Sequence, residues 1–134
     1  MTTTTAMLDT NPQPIALDRR KLAATIDALT ECAATCTSCA DACLGEEMVE
    51  ELRQCIRICL DCADLCALTG TLATRRTGAN GEVLRRVIGA CEIACRTCAE
   101  ECARHADHHE HCRVCGEACQ RCERACQDAL QTLG

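Results

Sequence analysis

Residues 32–43 read Cys-Ala-Ala-Thr-Cys-Thr-Ser-Cys-Ala-Asp-Ala-Cys, and the spacing of the cysteines in this stretch predicts the fold. Offsets of 0, 4, 7 and 11 residues place the four thiols on one face of an α-helix, and they match no period of a β-strand. The same Cys-x-x-x-Cys-x-x-Cys-x-x-x-Cys module occurs four times, beginning at Cys32, Cys55, Cys91 and Cys115. The sequence therefore predicts four helices, each with a stripe of thiols about 16 Å long.

Two helices are predicted in the first half of the chain. The first covers residues 15–44, and Gly45 is a suitable residue to end it. Glu46 and Glu47 favour the start of the second helix, because their negative charges complement the helix dipole, and this helix is predicted to run to about Arg76. The short connection makes the two helices antiparallel neighbours.

The second half repeats this arrangement. Residues 77–81, Thr-Gly-Ala-Asn-Gly, have the composition of a turn, and the third helix is predicted over residues 82–105. Asp107 and Glu110 resemble a capping box that opens a fourth helix, which ends near Leu133. Four helices with short connections and one apolar stripe each predict an all-α fold, an antiparallel four-helix bundle with a cysteine-lined core.

The composition also favours a core built from thiols. The 134 residues include 17 Cys, no Phe, Tyr or Trp, and only 26 large aliphatic residues of the types Leu, Ile, Val and Met. Free cysteine packs as a small hydrophobe, so the thiols must fill much of the interior. The stripes continue in aliphatic residues such as Leu29, Leu84 and Ile88 where the cysteines stop. We expect one four-helix bundle domain over residues 15–134, preceded by a disordered tail over residues 1–14.

Charge and hydropathy exclude several classes of protein. The formal net charge is −6 and there are no aromatic residues, so the chain lacks the basic face and stacking platforms of a nucleic-acid-binding protein. The N-terminal residues do not resemble a secretory signal, and no segment is long and apolar enough to span a membrane. We therefore expect a soluble cytoplasmic protein whose thiols stay reduced, and the odd number of cysteines also argues against a disulfide scaffold.

Metal binding is the function that the four modules favour. Packing alone does not require them, because alanine would fill similar space without the risk of oxidation. Redox Cys-x-x-Cys motifs open a helix in a βαβ setting, whereas these pairs lie within helices, and the usual iron–sulfur spacings are absent. A thiol redox or electron-transfer protein and a metal-responsive regulator remain the alternatives from other functional classes.

The charge of a dry interior favours Cu(I) as the metal. Zn²⁺ held by four thiolates leaves a charge of −2 at each site, and the cysteine stripes contain no Lys or Arg to compensate for it. Cu(I) is monovalent and soft, and roughly one ion per bridging thiolate leaves the core near neutral. We expect multiple Cu(I) ions per chain and no catalytic turnover, and a thiolate buffer for zinc or other soft metals is the alternative.

The four histidines lie in or beside the turn between the third and fourth predicted helices. Imidazole and thioether groups both bind copper, so Met48, His105, His108 and His111 are candidate ligands at an opening where ions enter. A solvated turn that contains a packed methionine is the alternative interpretation. His109 is expected to point outward.

The four-module pattern resembles the bacterial copper storage proteins, which are cysteine-rich four-helix bundles, over about residues 20–130. The resemblance is to the cytosolic class, because exported members carry a signal peptide and the N-terminal residues of this chain do not resemble one. It implies Cu(I) loading of the core, assembly as a homotetramer, and His or Met ligands at the open end. The ligands implied by the resemblance are Cys32, Cys36, Cys39, Cys43, Cys55, Cys59, Cys62, Cys66, Cys91, Cys95, Cys98, Cys102, Cys112, Cys115, Cys119, Cys122, Cys126, Met48, His105, His108 and His111.

Overall fold

The computed structural model describes residues 2–133, and these form helices and turns. The elements are α1 (Thr3–Asp9), α2 (Arg19–Leu44), a 3-10 turn (Val49–Leu52), α3 (Arg53–Thr74), α4 (Gly81–His105) and α5 (Glu110–Leu133). Helix α2 packs against α3 and α5, and α4 packs against the same two helices. This is the predicted all-α four-helix bundle, with each helix in contact with two neighbours.

The ends of α2 follow from local capping. Asp18 is the N-cap, and its carboxylate accepts hydrogen bonds from the backbone N–H groups of Arg20 and Lys21. The helix therefore begins at Arg19, four residues after the predicted start. Gly45 is the C-cap residue, as the sequence predicted, and its N–H group donates to the carbonyl of Ala42.

Two connections differ in detail from the sequence prediction. The second bundle helix begins at Arg53 and ends at Thr74, whereas residues 46–76 were predicted to be helical. A 3-10 turn precedes it, and Leu52 of that turn is only 1% exposed, so its burial under the bundle holds the tighter turn in place. Helix α5 begins at Glu110, so His109 rather than Asp107 precedes its first residue.

Part of the segment that was expected to be a disordered tail, residues 1–14, is helical, since Thr3–Asp9 form α1. Thr2 caps α1 by accepting a hydrogen bond from the N–H group of Thr5. Leu8 is 3% exposed within the hydrophobic core, and the Thr4 hydroxyl donates to a carboxylate oxygen of Asp27 on α2 at 2.6 Å. One buried leucine and one hydrogen bond to α2 therefore hold the segment, which sequence composition alone does not reveal.

The bundle interior changes composition along its axis. All 17 cysteines are buried, and Leu29, Leu84 and Ile88 are almost completely buried beyond one end of the thiols. Close helix approach makes this packing possible: a Cβ atom at Gly116 would lie 3.4 Å from Cβ of Cys102, in van der Waals contact. A methyl group would therefore fit at this position, and the close approach of α4 and α5 follows from the small side chains of the core.

Among the described residues 2–133, the structure contains no helix with the length and apolar character needed to cross a membrane.

Candidate metal centre

The four helices bring their thiol stripes together into one column. Antiparallel neighbours place their modules at overlapping heights, so that Cys66 of α3 lies 3.6 Å from Cys91 of α4, between Sγ atoms. Two turns away on α3 and three turns away on α4, the Sγ atoms of Cys59 and Cys102 are 3.8 Å apart. The regular module spacing thus becomes a continuous lining, as the sequence predicted.

The middle of the column is dense in sulfur, with Cys36 as one example. Its Sγ atom lies 3.5 Å from that of Cys119 and 3.8 Å from those of Cys32 and Cys115. A fourth sulfur, Sγ of Cys98, lies 4.0 Å away. A metal–thiolate bond is about 2.3 Å long, so a single metal ion can reach two sulfurs separated by these distances.

Cys66 shows the same arrangement nearer the aliphatic end. Its Sγ atom lies 3.6 Å from Cys91, 3.7 Å from Cys95, and 3.9 Å from both Cys62 and Cys122. Three helices therefore contribute sulfur atoms to one small volume. The environment consists of thiols on every side, which is the soft ligand set that Cu(I) and other thiophilic metals prefer.

The sulfur groups overlap, and this distinguishes the column from a series of separate sites. Groups of four potential ligand atoms, all within 4.8 Å of one another, include Cys32/Cys66/Cys95/Cys122, Cys32/Cys36/Cys62/Cys119, Cys36/Cys98/Cys115/Cys119 and Cys39/Cys59/Cys102/Cys115. Cys32, Cys36, Cys115 and Cys119 each belong to two of these groups. Shared residues allow a thiolate to bridge two ions, so the geometry favours a connected cluster.

The charge of the column limits which metals it can hold. Among residues 2–133, no Lys or Arg side chain is buried in the core, and Glu101 is the one buried carboxylate. Deprotonated thiols must therefore be neutralised by the metal ions themselves. Monovalent ions in roughly equal number to the thiolates satisfy this condition, whereas four thiolates around each divalent ion do not.

Burial keeps two thiols near the open end, those of Cys43 and Cys112, in their neutral form. It raises the pKa of Cys43 to about 11 and also raises the pKa of Cys112. An unperturbed cysteine has a pKa of about 8.5. These thiols are therefore protonated at neutral pH, and a metal ion must displace a proton to bind them.

One of the predicted histidine and methionine ligands reaches the thiols in this structure. His111 lies with Nδ1 3.4 Å from Sγ of Cys39 and 3.6 Å from Sγ of Cys112, and these residues form a four-ligand group with Cys43. We call the group Cys39, Cys43, His111 and Cys112 the mouth cluster. It combines three thiols with one imidazole at the end of the column nearest the histidine-rich turn.

The other three predicted mouth ligands lie near the open end but outside the mouth cluster. His105 turns Nε2 toward a carboxylate oxygen of Glu101 at 3.0 Å, one helical turn back on α4. His108 is exposed in the turn between α4 and α5. Met48 is 56% exposed, because residues 46–52 do not continue the helix on which its position would have joined the thiol stripe.

His109 was expected to point outward, but it points toward Glu46. Its side chain is 18% exposed, and Nδ1 lies 2.8 Å from Oε2 of Glu46. The same oxygen lies 2.9 Å from Nε2 of His111, and the hydrogen bond from His111 holds the pKa of Glu46 below its usual value. The sequence offered no local signal for this contact, because Glu46 precedes His111 by 65 residues.

Comparisons with known proteins agree with this geometry. The sequence pattern of the family described as copper storage protein matches residues 18–131. The structure of the copper storage protein Ccsp from Streptomyces lividans, loaded with 10 copper equivalents, is 47% identical, with a TM-score of 0.95 over 97% of this chain and 99% of that chain. A second structure, of copper loading to a cytosolic copper storage protein from Streptomyces lividans (five coppers), is 50% identical, with a TM-score of 0.84 over 86% of this chain and 96% of that chain.

A Streptomyces lividans Ccsp variant with one histidine replaced by alanine is 49% identical, with a TM-score of 0.86 over 90% of this chain and 100% of that chain. A search of curated protein sequences gives no match. The family match covers most of the chain, and the solved relatives extend the agreement to the whole bundle. The chain therefore belongs to the copper storage protein family.

Proposed function

We propose that this protein stores Cu(I) in the cytosol, with many ions per chain bound by the thiolates of the bundle core and without catalytic turnover. The observation that carries the proposal is the column of 17 buried thiols, most of which belong to overlapping four-ligand groups. Copper loading of a similar bundle in Streptomyces lividans Ccsp supports it. We propose that the storage unit is the bundle domain predicted over residues 15–134.

The proposed ligands are all the cysteines together with His111, which already faces two of the thiols. Met48, His105 and His108 complete the proposed ligand set at the open end, where imidazole and thioether groups hold incoming ions before they reach the thiols. The exposure of Met48 and His108 suits this role, because an ion arriving from solvent meets these side chains first.

A thiol redox function is the second candidate, and the burial of the cysteines argues against it. Cysteines 36, 59, 95 and 119, one from each helix of the bundle, all have an exposed fraction of 0%. Thiol-disulfide exchange requires a thiolate that a partner disulfide can reach. Metal ions are small enough to enter such a core, whereas a protein disulfide is not.

We also propose that copies of this chain assemble as a homotetramer, as the family resemblance implies. The outer faces of α3 and α4 supply apolar side chains for such contacts, since Leu60, Leu68 and Ile93 are 43–55% exposed. Sedimentation of the apoprotein measures its assembled mass. A monomer at micromolar concentration would contradict this part of the proposal.

Anaerobic titration of the fully reduced apoprotein with Cu(I), against a competing chelator, tests the storage function. We expect the protein to take copper from the chelator until about one ion or more is bound per cysteine, because each thiolate can neutralise and bridge monovalent ions. Titration with Zn²⁺ is the matched control. An endpoint of a few copper ions, or preferred Zn²⁺ binding at about four cysteines per ion, would instead indicate a zinc or general thiolate buffer.

Copper loading should release close to one proton per thiol at neutral pH, and copper affinity should rise with pH. A proton and a metal ion compete for the same sulfur, and the pKa of Cys43 is about 11. For each displaced proton, affinity therefore rises up to about tenfold per pH unit below that pKa. A pH-stat measures the released protons, and chelator competition at several pH values measures affinity. Loading without proton release would contradict the exchange mechanism.

The raised pKa of Cys43 makes the stability of the apoprotein fall at high pH, whereas copper affinity rises with pH. Thiols of the unfolded chain ionise at about pH 8.5, before the buried Cys43 does at about pH 11. The contribution of the buried, neutral Cys43 thiol to the free energy of unfolding is therefore fully present below about pH 8.5 and is lost as the pH rises through about 11.

A further inference from the structure

Glu46 joins two loops at the open end of the bundle. It follows the C-cap of α2, where its backbone N–H group donates to the carbonyl of Cys43 at 3.2 Å. Its Oε2 atom lies 2.8 Å from Nδ1 of His109 and 2.9 Å from Nε2 of His111, both close to the start of α5. One carboxylate oxygen thus accepts a hydrogen bond from His111 and lies within 3 Å of a ring nitrogen of His109, and both histidines are more than 60 residues away in the chain.

The contact with Glu46 determines which nitrogen of His111 is free to bind metal. A neutral imidazole carries one proton, and an ionised carboxylate only accepts hydrogen bonds, so the proton resides on Nε2. The lone pair is then on Nδ1, which faces the thiols of Cys39 at 3.4 Å and Cys112 at 3.6 Å. The carboxylate therefore selects the tautomer in which His111 presents a metal-binding atom to the mouth cluster.

His109 packs against one face of His111 and helps to hold its orientation. Its ring stacks on that of His111, with centroids 5.6 Å apart and an angle of 27° between the ring planes. Because a ring nitrogen of His109 also lies 2.8 Å from the same oxygen, the two rings and the carboxylate form one contact group, and rotation of His111 would break its hydrogen bond to Glu46. His111 would otherwise be free to turn outward, since its side chain is 27% exposed.

We infer that Glu46 is a positioning residue for copper entry: it fixes the ring and tautomer of His111 so that Nδ1 and the thiols of Cys39 and Cys112 together receive the first Cu(I) ions. The inference rests on the proposed storage function and adds a residue to which neither the sequence pattern nor the comparisons assign a role. Carboxylates that orient metal-binding histidines raise metal affinity about 10- to 100-fold in other proteins.

The test compares E46Q with E47Q, which removes the same charge from the next residue of the loop, an exposed glutamate. Competition with a chelator at less than one Cu(I) per chain measures the first-ion affinity, and stopped-flow mixing measures the uptake rate. We expect E46Q to weaken the first binding step about 10- to 100-fold and to leave the final capacity unchanged. We expect E47Q to behave as the wild-type protein. Equal behaviour of the two variants would overturn the inference.

A double-mutant cycle with H111A separates positioning from a general charge effect. If Glu46 acts through His111, E46Q has no further effect on the first binding step in the H111A background. An equally large effect in that background would overturn the inference. Failure of wild-type protein to bind many copper ions would instead overturn the storage function, so the two failures are distinguishable.

The tautomer is measurable in wild-type apoprotein, whether or not a variant folds well. Nitrogen-15 NMR of the histidine side chains, with His111 assigned from the H111A spectrum, should show its proton on Nε2 and the lone pair on Nδ1. In E46Q the signal should shift toward a mixture of tautomers. A proton on Nδ1 of His111 in the wild-type protein would refute the proposed role of Glu46.

Discussion

Cu(I)-loaded protein should unfold at a temperature more than about 20 °C above that of the reduced apoprotein. A ligand that binds only the folded state adds about 2.7 kcal/mol of stability for each site at a free concentration 100 times its dissociation constant. Four such sites add about 11 kcal/mol, and for a chain of this size 1 kcal/mol corresponds to about 3 °C. The bridged thiol groups connect all four helices, so bound ions stabilise the whole bundle together.

Differential scanning calorimetry of the apoprotein and of samples with increasing copper content measures this effect. The unfolding temperature should rise with each addition and return to the apoprotein value after chelator removes the copper. Addition of the same chelator to protein that never contained copper is the control. An unfolding temperature that does not change with copper content would mean that the ions bind the unfolded chain equally well.

Replacement of Leu84 by alanine should destabilise the apoprotein by about 2–5 kcal/mol and lower its unfolding temperature by roughly 6–15 °C. Leu84 is 1% exposed, and it lies at the aliphatic end of the core with Leu29 and Ile88. The chain has no aromatic residue and few large aliphatic ones, so these side chains supply much of the apolar burial that holds the bundle together without metal. The variant should still bind the full amount of copper, because it retains every thiol.

Val83 provides the matched control for this replacement. It precedes Leu84 on the same turn of α4 but is 57% exposed, so V83A removes an apolar side chain without leaving a cavity. Circular dichroism of both reduced apoproteins during heating gives the comparison. Equal unfolding temperatures for L84A and V83A would show that the aliphatic end does not hold the apoprotein fold.

The helical thiol stripes could be predicted from the sequence because the cysteines that form each stripe are close together in the chain and regularly spaced. Offsets of 0, 4, 7 and 11 residues determine the face of the helix, and short connections determine that neighbouring helices run antiparallel. The meeting of Cys66 with Cys91 follows from these two facts alone. The C-terminal end of α2 at Gly45 could also be predicted, because the end of a helix depends on the residue at the C-cap position.

The contacts at the open end could not be predicted in the same way. Met48 leaves the thiol stripe because a loop and a 3-10 turn replace the expected helix, and the geometry of such a turn depends on the burial of Leu52. Glu46 was interpreted as a helix-start residue, since negative charge suits that position. Its contact with His111 joins two loops that are distant in sequence, and only the packed bundle brings them together.

The aliphatic end has a consequence for the order in which stored ions leave. Leu29, Leu84 and Ile88 close one end of the thiol column, whereas the mouth cluster lies at the other. If ions move only between neighbouring sulfurs, the protein behaves as a stack in which the last ion to enter is the first to leave. The ions nearest the mouth cluster would then exchange rapidly, whereas the ions bound first, near the aliphatic end, would be released only when the protein is nearly empty.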